Sequence, residues 1–317
     1  MLELFCTVAE QRSFSKAASV HHLTQSAVSQ AVQQLEESLG TQLIDRSKRP
    51  LVLTAAGKTY LTGVRGILRT YERLEAEVRS NSKRLSGKIA IGTIVSVGLS
   101  YMPEATDAFS RLHPEVEVHT EFGANDRVFE MASEGEIDLG LVSFPRNTKQ
   151  LRSVAWQNEP MRLVCSAEHR FASRDGISVS ELSGVAMIGF DRGLRLRQEI
   201  DRCLHRLGVE TKITMEFDNA DSMIRAIQAN RGIGIVPEAA VRRETATGSL
   251  RVVACRELKM TRPLGIIYRR AGRLNQAAAE FASLLLGRPL ENEKRRPGSG
   301  RHTGDKSPAE THTSVVA

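Results

Sequence analysis

Apolar residues recur at three- and four-residue steps through the segment Thr24–Leu39, which predicts an amphipathic helix. Thr24 can cap its first turn with a hydroxyl oxygen, and Gly40 supplies a natural stop. The apolar stripe consists of Ala27, Val28, Ala31, Val32, Leu35 and Leu39. The opposite face carries short polar side chains with almost no charge: Gln25, Ser26, Ser29, Gln30 and Gln33. Such side chains suit base edges and phosphates in a DNA major groove, whereas a solvated surface helix is the alternative interpretation of this segment alone.

Two shorter helices are expected before this one. The first has its apolar stripe at Leu2, Phe5, Cys6 and Ala9. The second is predicted over 16–21, with Ser15 as its cap. A tight turn between the second and third helices makes a helix-turn-helix, in which Ser15 and Lys16 are expected to meet the DNA backbone.

Two short strands are predicted at 43–46 and 51–54, joined by the turn Ser47-Lys48-Arg49-Pro50. A hairpin with a basic tip beside a helix-turn-helix forms a wing. Lys48 and Arg49 are expected to contact phosphates or the minor groove. A merely solvated turn is the alternative.

A long helix capped by Thr54 follows the hairpin. Its apolar residues step by four and three, which is the spacing of a heptad seam: Tyr60, Val64, Ile67, Tyr71, Leu74 and Val78. Mixed charges flank this seam, as on coiled-coil surfaces. The seam predicts pairing with a second copy, which would present two recognition helices to a two-fold DNA site. Packing of the helix on its own domain is the alternative.

The motifs of this first part resemble the N-terminal signature of LysR-type transcriptional regulators. They occur in order over roughly the first 85 residues: Phe14-Ser15-Lys16-Ala17-Ala18, Leu23-Thr24-Gln25-Ser26-Ala27-Val28-Ser29, Leu35-Glu36-Glu37-Ser38-Leu39-Gly40, Leu43-Ile44-Asp45-Arg46 and Leu53-Thr54-Ala55-Ala56-Gly57. Ile44 stands where the family usually has Phe.

From Lys88 to about Pro289, apolar runs typical of strands alternate with helical stretches, which indicates an α/β class with parallel sheets covered by helices. The pattern alone allows one sheet or two lobes. The resemblance implies two lobes similar to periplasmic solute-binding proteins, with the closing helix completing the first lobe.

These observations predict a winged helix-turn-helix over 1–57, a dimerisation helix and hinge over 58–87, and a two-lobed effector domain over 88–289. Lobe I is expected at about 88–160 and 257–289, and lobe II at about 161–256. The polar segment 290–317 is expected to be a disordered tail. Its basic run Lys294-Arg295-Arg296 could add weak DNA affinity, although a solvated tail is the simpler interpretation.

Ligands of open parallel sheets sit beyond the carboxyl ends of strands, near helix N-termini. This rule selects 93–97, 123–125, 143–144, 191–193 and 218–219. The resemblance supports an effector cleft lined by Thr93, Ser96, Val97, Asn125, Phe144, Arg192 and Asn219. Arg192, with Arg195 nearby, could bind a carboxylate, phosphate or sulfate. The alternative for each residue is a cap or loop role.

Composition adds moderate constraints. Among 317 residues, 41% are hydrophobic and 26% charged, and the net charge of +7 favours anionic partners such as nucleic acid. Cys6, Cys165, Cys203 and Cys255 are widely spaced and suit a reducing compartment. We find no signal peptide and no apolar run that could span a membrane, so a cytoplasmic location is expected.

The sequence contains no catalytic motif that we recognise. The run Gly232-Ile233-Gly234-Ile235-Val236-Pro237 lacks the third glycine of a dinucleotide fingerprint and is expected to be a buried strand with a close backbone approach. We therefore expect a DNA-binding regulator without catalytic activity, cofactor or metal. Its expected partners are double-stranded DNA, a small anionic effector, a second copy in a dimer or tetramer, and RNA polymerase. The alternative is a solute-binding or enzymatic α/β domain carrying a dimerising N-terminal region.

Overall fold

The computed structural model describes residues 1–79, 85–272 and 274–290, except for the side chains at 69, 72, 73 and 76–79. Nearly all of the expected tail 290–317 and part of the expected hinge therefore lie outside the described residues. The N-terminal part contains α1 (Leu2–Gln11), α2 (Phe14–Val20), α3 (Gln25–Leu39), β1 (Ile44–Asp45), β2 (Val52–Leu53) and α4 (Ala55–Arg79). The strands β1 and β2 pair antiparallel, as expected of a wing.

The ends of α3 follow the sequence closely. The hydroxyl oxygen of Thr24 accepts a hydrogen bond from the backbone N–H of Ala27 at 3.2 Å. Gly40 ends the helix in the left-handed conformation at φ 64°. The cap of α2 is a correction, because Ser13, not Ser15, accepts the hydrogen bond from Lys16 N at 3.3 Å. The helix therefore begins two residues earlier than predicted, and Ser15 lies in its first turn.

The helices α1, α3 and α4 and the wing enclose one small core, which includes Phe5, Val28 and Val32. The start of α4 passes directly over the wing. A Cβ atom at Gly57 would lie 1.9 Å from the carbonyl oxygen of Leu43, so only glycine permits this approach.

The heptad positions of α4 divide into two groups. Val64 is only 2% exposed and Tyr60 makes an edge contact with Phe5 at 5.4 Å between ring centroids, so both pack within their own domain. The seam expectation is thereby corrected for Val64. Ile67, Tyr71 and Leu74 are 59%, 56% and 58% exposed. The side chain of Val78 lies outside the described residues.

The remainder of the chain is an α/β structure, as the sequence indicates. Its elements are β3 (Gly87–Ile94), α5 (Val95–Leu112), β4 (Val116–Gly123), α6 (Asn125–Glu134), β5 (Leu139–Ser143), β6 (Leu151–Ser166), β7 (Ala186–Phe190), α7 (Arg195–Arg206), β8 (Lys212–Phe217), α8 (Ala220–Gln228), β9 (Gly234–Pro237), α9 (Arg242–Ala246), β10 (Leu250–Val252), β11 (Thr261–Arg269) and α10 (Gln276–Leu286). Short 3-10 turns lie at Val179–Leu182 and Ala239–Val241.

The large sheet is mixed, which corrects the expectation of purely parallel sheets. Its seven strands run in the order β10-β6-β11-β5-β3-β4, and β9 also pairs with β6. Strand β3 is parallel to β4 and β5, and β7 is parallel to β8. The long strands β6 and β11 instead run antiparallel to each other and to their other neighbours.

Two hydrophobic clusters cover this sheet. One includes Ile89, Leu139, Ile266 and Phe281 and so combines the first strands with the closing helix α10. The other is built from the region between Met161 and Val253. Strands β6 and β11 run from one cluster to the other. The chain thus crosses twice between two bodies, which is the arrangement of a two-lobed solute-binding fold.

Close backbone approach at the glycine-rich run is confirmed. A Cβ atom at Gly232 would lie 2.6 Å from the carbonyl oxygen of Ala186.

Candidate nucleic-acid interface and effector cleft

The polar face of α3 lies at the surface of the N-terminal domain. Gln25, Ser26, Gln30 and Gln33 are exposed, and Ser29 is half-buried beside the wing. Gln33 donates to the Glu37 carboxylate at 2.9 Å. Among the described residues, the side-chain amide of Gln30 has no hydrogen-bond partner. Its amide can therefore pair with a base edge without first breaking a bond within the domain.

The first turn of α2 lies at the surface. Ser15 and Lys16 are both exposed there, and the first-turn N–H groups that Ser13 does not cap attract anions such as phosphate. Both side chains are thus accessible to the DNA backbone, and their contacts with it stay predictions.

The tip of the wing is a hydrogen-bonded turn. The carboxylate of Asp45 accepts from Ser47 N at 3.0 Å and Ser47 Oγ at 2.6 Å, and these bonds lower the pKa of Asp45. Arg49 folds back to donate to the carbonyl oxygens of Arg46 and Lys48 at 2.9 and 3.0 Å. Lys48 is exposed beside it. The tip therefore presents its positive charge on an ordered turn.

Sequence reasoning overlooked a polar cluster that fastens the wing to α3. One carboxylate oxygen of Glu36 accepts from the backbone N–H groups of Leu43 and Ile44 at 2.8 and 2.9 Å. Its other oxygen accepts from Arg46 at 2.8 Å. Glu36 is only 8% exposed. The sequence feature that could have indicated this cluster is the position of Glu36, which follows Val32 by four residues and so falls on the apolar face of the helix.

Three helices of the C-terminal part begin at strand ends without a side-chain cap. Helices α5, α6 and α7 follow β3, β4 and β7, and the residues at their caps are Ile94, Ala124 and Leu194. Helices α8 and α10 are instead capped by Asn219 and Asn275. Because β3 and β4 are parallel neighbours, α5 and α6 begin at the same edge of the sheet. Their uncapped N–H groups favour a ligand that carries hydrogen-bond acceptors.

Ser96, in the first turn of α5, belongs to a largely buried network. Its hydroxyl oxygen accepts from Arg262 at 3.0 Å. The same guanidinium is paired with the buried carboxylate of Glu159, its cross-strand neighbour on β6. Tyr101 donates to Glu159 at 3.1 Å, and burial with this negative neighbour raises the pKa of Tyr101 to about 12. Sequence reasoning missed Glu159 and Arg262, which lie on the strands that join the two bodies.

The other residues predicted at this edge differ in accessibility. Thr93 and Val97 are fully buried, so a ligand reaches them only if their surroundings move. Asn125 is half-buried, and its side-chain oxygen Oδ1 accepts a hydrogen bond from the backbone N–H of Ser143 at 3.0 Å.

Phe144 lies between the two bodies. Its backbone is in the left-handed region at φ 52°, and its N–H donates to the carbonyl oxygen of Pro263 at 2.8 Å. Its ring packs in the cluster of the second body, with the Arg195 guanidinium 4.9 Å from the ring centroid. The end of β5, the start of β11 and the start of α7 therefore meet at Phe144.

Two predicted residues of the second body have partners within the chain. Arg192 is 80% exposed and donates to Glu216 at 3.0 Å. The hydrogen bond from Arg197 and, to a lesser extent, that from Arg192 lower the pKa of Glu216. Asn219 accepts from Ser222 N at 2.9 Å as the cap of α8. The alternative role as a helix cap is thus observed for Asn219, and its contact with an effector stays a prediction.

A winged helix-turn-helix followed by a two-lobed ligand-binding fold defines a ligand-responsive transcriptional regulator. Two family models match this chain: "Bacterial regulatory helix-turn-helix protein, lysR family" over residues 1–58, and "LysR substrate binding domain" over residues 82–289. The chain belongs to the LysR family of transcriptional regulators.

Individual relatives are distant but extend over most of the chain. The Hydrogen peroxide-inducible genes activator of Dickeya chrysanthemi is 25% identical over 268 residues, covering 84% of this chain and 88% of the relative. The crystal structure of CbnR, a LysR family transcriptional regulator, superposes with a TM-score of 0.70 at 21% identity, covering 92% of this chain and 98% of CbnR. The effector-binding domain of QuiR in complex with shikimate gives a TM-score of 0.57 at 20% identity, covering 64% of this chain and 97% of that domain.

Within the described ranges, no helix is long and apolar enough to cross a membrane. The same part of the chain contains no group of three or more His, Cys, Asp or Glu side chains that could hold a metal ion.

Proposed function

We propose that the polar face of α3 reads the major groove of a specific DNA site. The observation that carries this proposal is the exposed and almost uncharged face that includes Gln30 and Ser26. Gln25, Ser29 and Gln33 extend this surface to bases or nearby phosphates. Ser15, Lys16, Lys48 and Arg49 would hold the DNA backbone on either side of it.

The second part of the proposal is that the C-terminal fold binds a small metabolite with acceptor groups, such as a carboxylate. Support comes from the uncapped starts of α5, α6 and α7 and from Ser96, whose hydroxyl already accepts a bond from Arg262. The proposed lining is Thr93, Ser96, Val97, Asn125, Phe144, Arg192 and Asn219. Different affinity of the ligand for two arrangements of the oligomer would change how the protein binds or bends DNA.

Effector binding explains this chain better than oxidation of a thiol, although several relatives are named for hydrogen peroxide. All four cysteines lie in the described ranges and are unpaired. Burial raises the pKa of Cys6 and Cys165 to about 11 and also raises that of Cys255. Each of these three thiols is therefore less ionised at neutral pH than a free cysteine and is a weaker nucleophile, and the fourth, Cys203, is buried.

The remaining expectations are also part of this proposal. The protein would act in the cytoplasm as a dimer or tetramer, have no catalytic activity, and contact RNA polymerase at its promoters. We also propose the domain limits given by the sequence, which are 1–57, 58–87 and 88–289, together with the two lobe ranges. Dimerisation is assigned to the exposed residues Ile67, Tyr71 and Leu74 and, as predicted from the seam, to Val78.

Gln30→Ala is expected to weaken binding to the preferred DNA site by about 1–3 kcal/mol, because a bidentate amide–adenine pair is lost. Binding to unrelated DNA should change little. The measurement is a fluorescence-anisotropy titration of full-length protein on a selected site and on a scrambled fragment.

The matched control for this prediction is Gln34→Ala. Gln34 is the same residue type, exposed on the same helix one turn further on, and outside the predicted contact set. Equal weakening of the selected and scrambled fragments by Gln30→Ala would show that Gln30 does not read bases.

Arg192→Ala is expected to leave DNA binding unchanged and to weaken the binding of the effector by roughly tenfold, since one charge-assisted hydrogen bond is lost. A panel of carboxylates, phosphates and sulfates is first screened by thermal shift on the wild-type protein. The strongest binder is then titrated against the variant by calorimetry.

Arg202→Ala serves as the control, because Arg202 is also exposed and also pairs with one glutamate, Glu199, at 2.8 Å. Identical titrations for wild type and Arg192→Ala would remove Arg192 from the effector site.

A further inference from the structure

We propose that Arg46 is a positioning residue that directs the hydroxyl proton of Ser29 toward an acceptor on DNA. The inference deepens the proposed function and rests on it. It assigns a role to Arg46, which is not among the predicted DNA-binding residues, and it makes the Ser29 hydroxyl a hydrogen-bond donor to DNA.

Arg46 is fixed by three side chains on two helices, α3 and α2. Its Nη2 atom donates to the Glu36 carboxylate at 2.8 Å, and its Nη1 atom approaches Ser29 Oγ at 3.4 Å. The guanidinium carbon lies 5.3 Å from the ring centroid of Phe14 on α2. A planar guanidinium satisfies such a set of partners at once, whereas an ammonium on a flexible stem does not.

The geometry sets the direction of the Ser29 hydrogen bond. Arg46 can only donate, so Ser29 Oγ must accept. Other hydroxyls in these helices use their proton within the helix: Ser19 donates to the Ser15 carbonyl at 3.2 Å and Ser38 donates to the Leu35 carbonyl at 2.8 Å. No such bond from Ser29 occurs among the described residues, so its proton is available to an outside acceptor.

That acceptor lies on DNA, because Ser29 sits beside Gln30 on the exposed face of α3 and beside the wing. Phosphate oxygens and the base atoms N7 and O6 of guanine or O4 of thymine share this chemistry. The two sources differ in one respect. A phosphate contact supports binding to any sequence, and a base contact supports binding to the selected site alone.

A double-mutant cycle separates positioning from a purely structural role. Full-length wild type, Ser29→Ala, Arg46→Lys and the double variant are titrated on a selected DNA site and on a scrambled fragment. Arg46→Lys keeps the positive charge beside Glu36, and thermal unfolding of each variant identifies any loss of fold.

Each single substitution is expected to weaken binding by about fivefold, the effect of one hydrogen bond. The double variant is expected to bind no more weakly than the weaker single variant, because both substitutions remove the same contact. A loss confined to the selected site identifies a base acceptor, and an equal loss on scrambled DNA identifies a phosphate; either supports the proposal.

Multiplication of the two single effects would overturn the proposal, since Arg46 would then act independently of Ser29. Wild-type affinity for Ser29→Ala would overturn it as well. If the wild-type protein itself shows no preference for the selected site, the proposed function fails, and the inference fails with it.

Discussion

Leu74→Lys is expected to convert the protein from a dimer to a monomer at micromolar concentration. Leu74 is 58% exposed in the single chain, and Ile67 and Tyr71 on the same heptad seam are similarly exposed. Burying a leucine side chain is worth about 1.5–3 kcal/mol, and a dimer contains two copies, so the dissociation constant should rise by roughly a hundredfold or more. Analytical ultracentrifugation of the full-length protein measures this change.

Loss of the dimer should also weaken DNA binding. A fragment with two half-sites loses the advantage of simultaneous engagement, whereas a single half-site is bound as before. Glu72→Lys is the control, since it adds positive charge to α4 at a position outside the seam. A dimer that persists in Leu74→Lys would contradict pairing through this face.

Glu36→Ala is expected to destabilise the N-terminal domain by about 3 kcal/mol or more, because it leaves buried donors without an acceptor. The affected donors are the buried backbone N–H groups of Leu43 and Ile44, together with the half-buried guanidinium of Arg46. Hydrogen exchange of the full-length protein should show lost protection at residues 43 and 44.

The single tryptophan provides an internal reference for this experiment. Trp156 packs against the cluster of the C-terminal part and donates to the Leu285 carbonyl at 2.7 Å, so its fluorescence reports unfolding there. That transition should be unchanged by Glu36→Ala. Glu37→Ala is the matched control, since within the described part of the chain the carboxylate of the exposed Glu37 accepts only from Gln33, and its effect should stay within about 0.5 kcal/mol. Equal stability of Glu36→Ala and Glu37→Ala would show that this cluster does not hold the wing.

Features set by local chemistry could be predicted from the sequence. The α3 helix, its Thr24 cap and its Gly40 stop depend on neighbours within a few residues, and all three are confirmed. The alternation of strands and helices predicted from Lys88 onward is also confirmed, because periodicity encodes which face of each element is buried.

Features that depend on distant partners could not be predicted. The first half of β6, which includes Ala155 and Gln157, has no regular alternation of polar and apolar residues and forms a strand because β11 pairs with it. The pair of Glu159 and Arg262 joins residues more than a hundred positions apart. For the candidate sites, the sequence predicted which surfaces bind DNA and the effector, whereas the contacts that orient Ser29 and Ser96 required the structure.

The most direct test of the account is selection of genomic DNA fragments by the purified full-length protein at two salt concentrations. Electrostatic contacts to phosphates weaken steeply with salt, whereas base contacts preserve the preference for one sequence. The account predicts enrichment of an interrupted palindrome that survives at the higher salt. Uniform binding, or binding that disappears at the higher salt without any enriched sequence, would contradict sequence-specific recognition by a dimer.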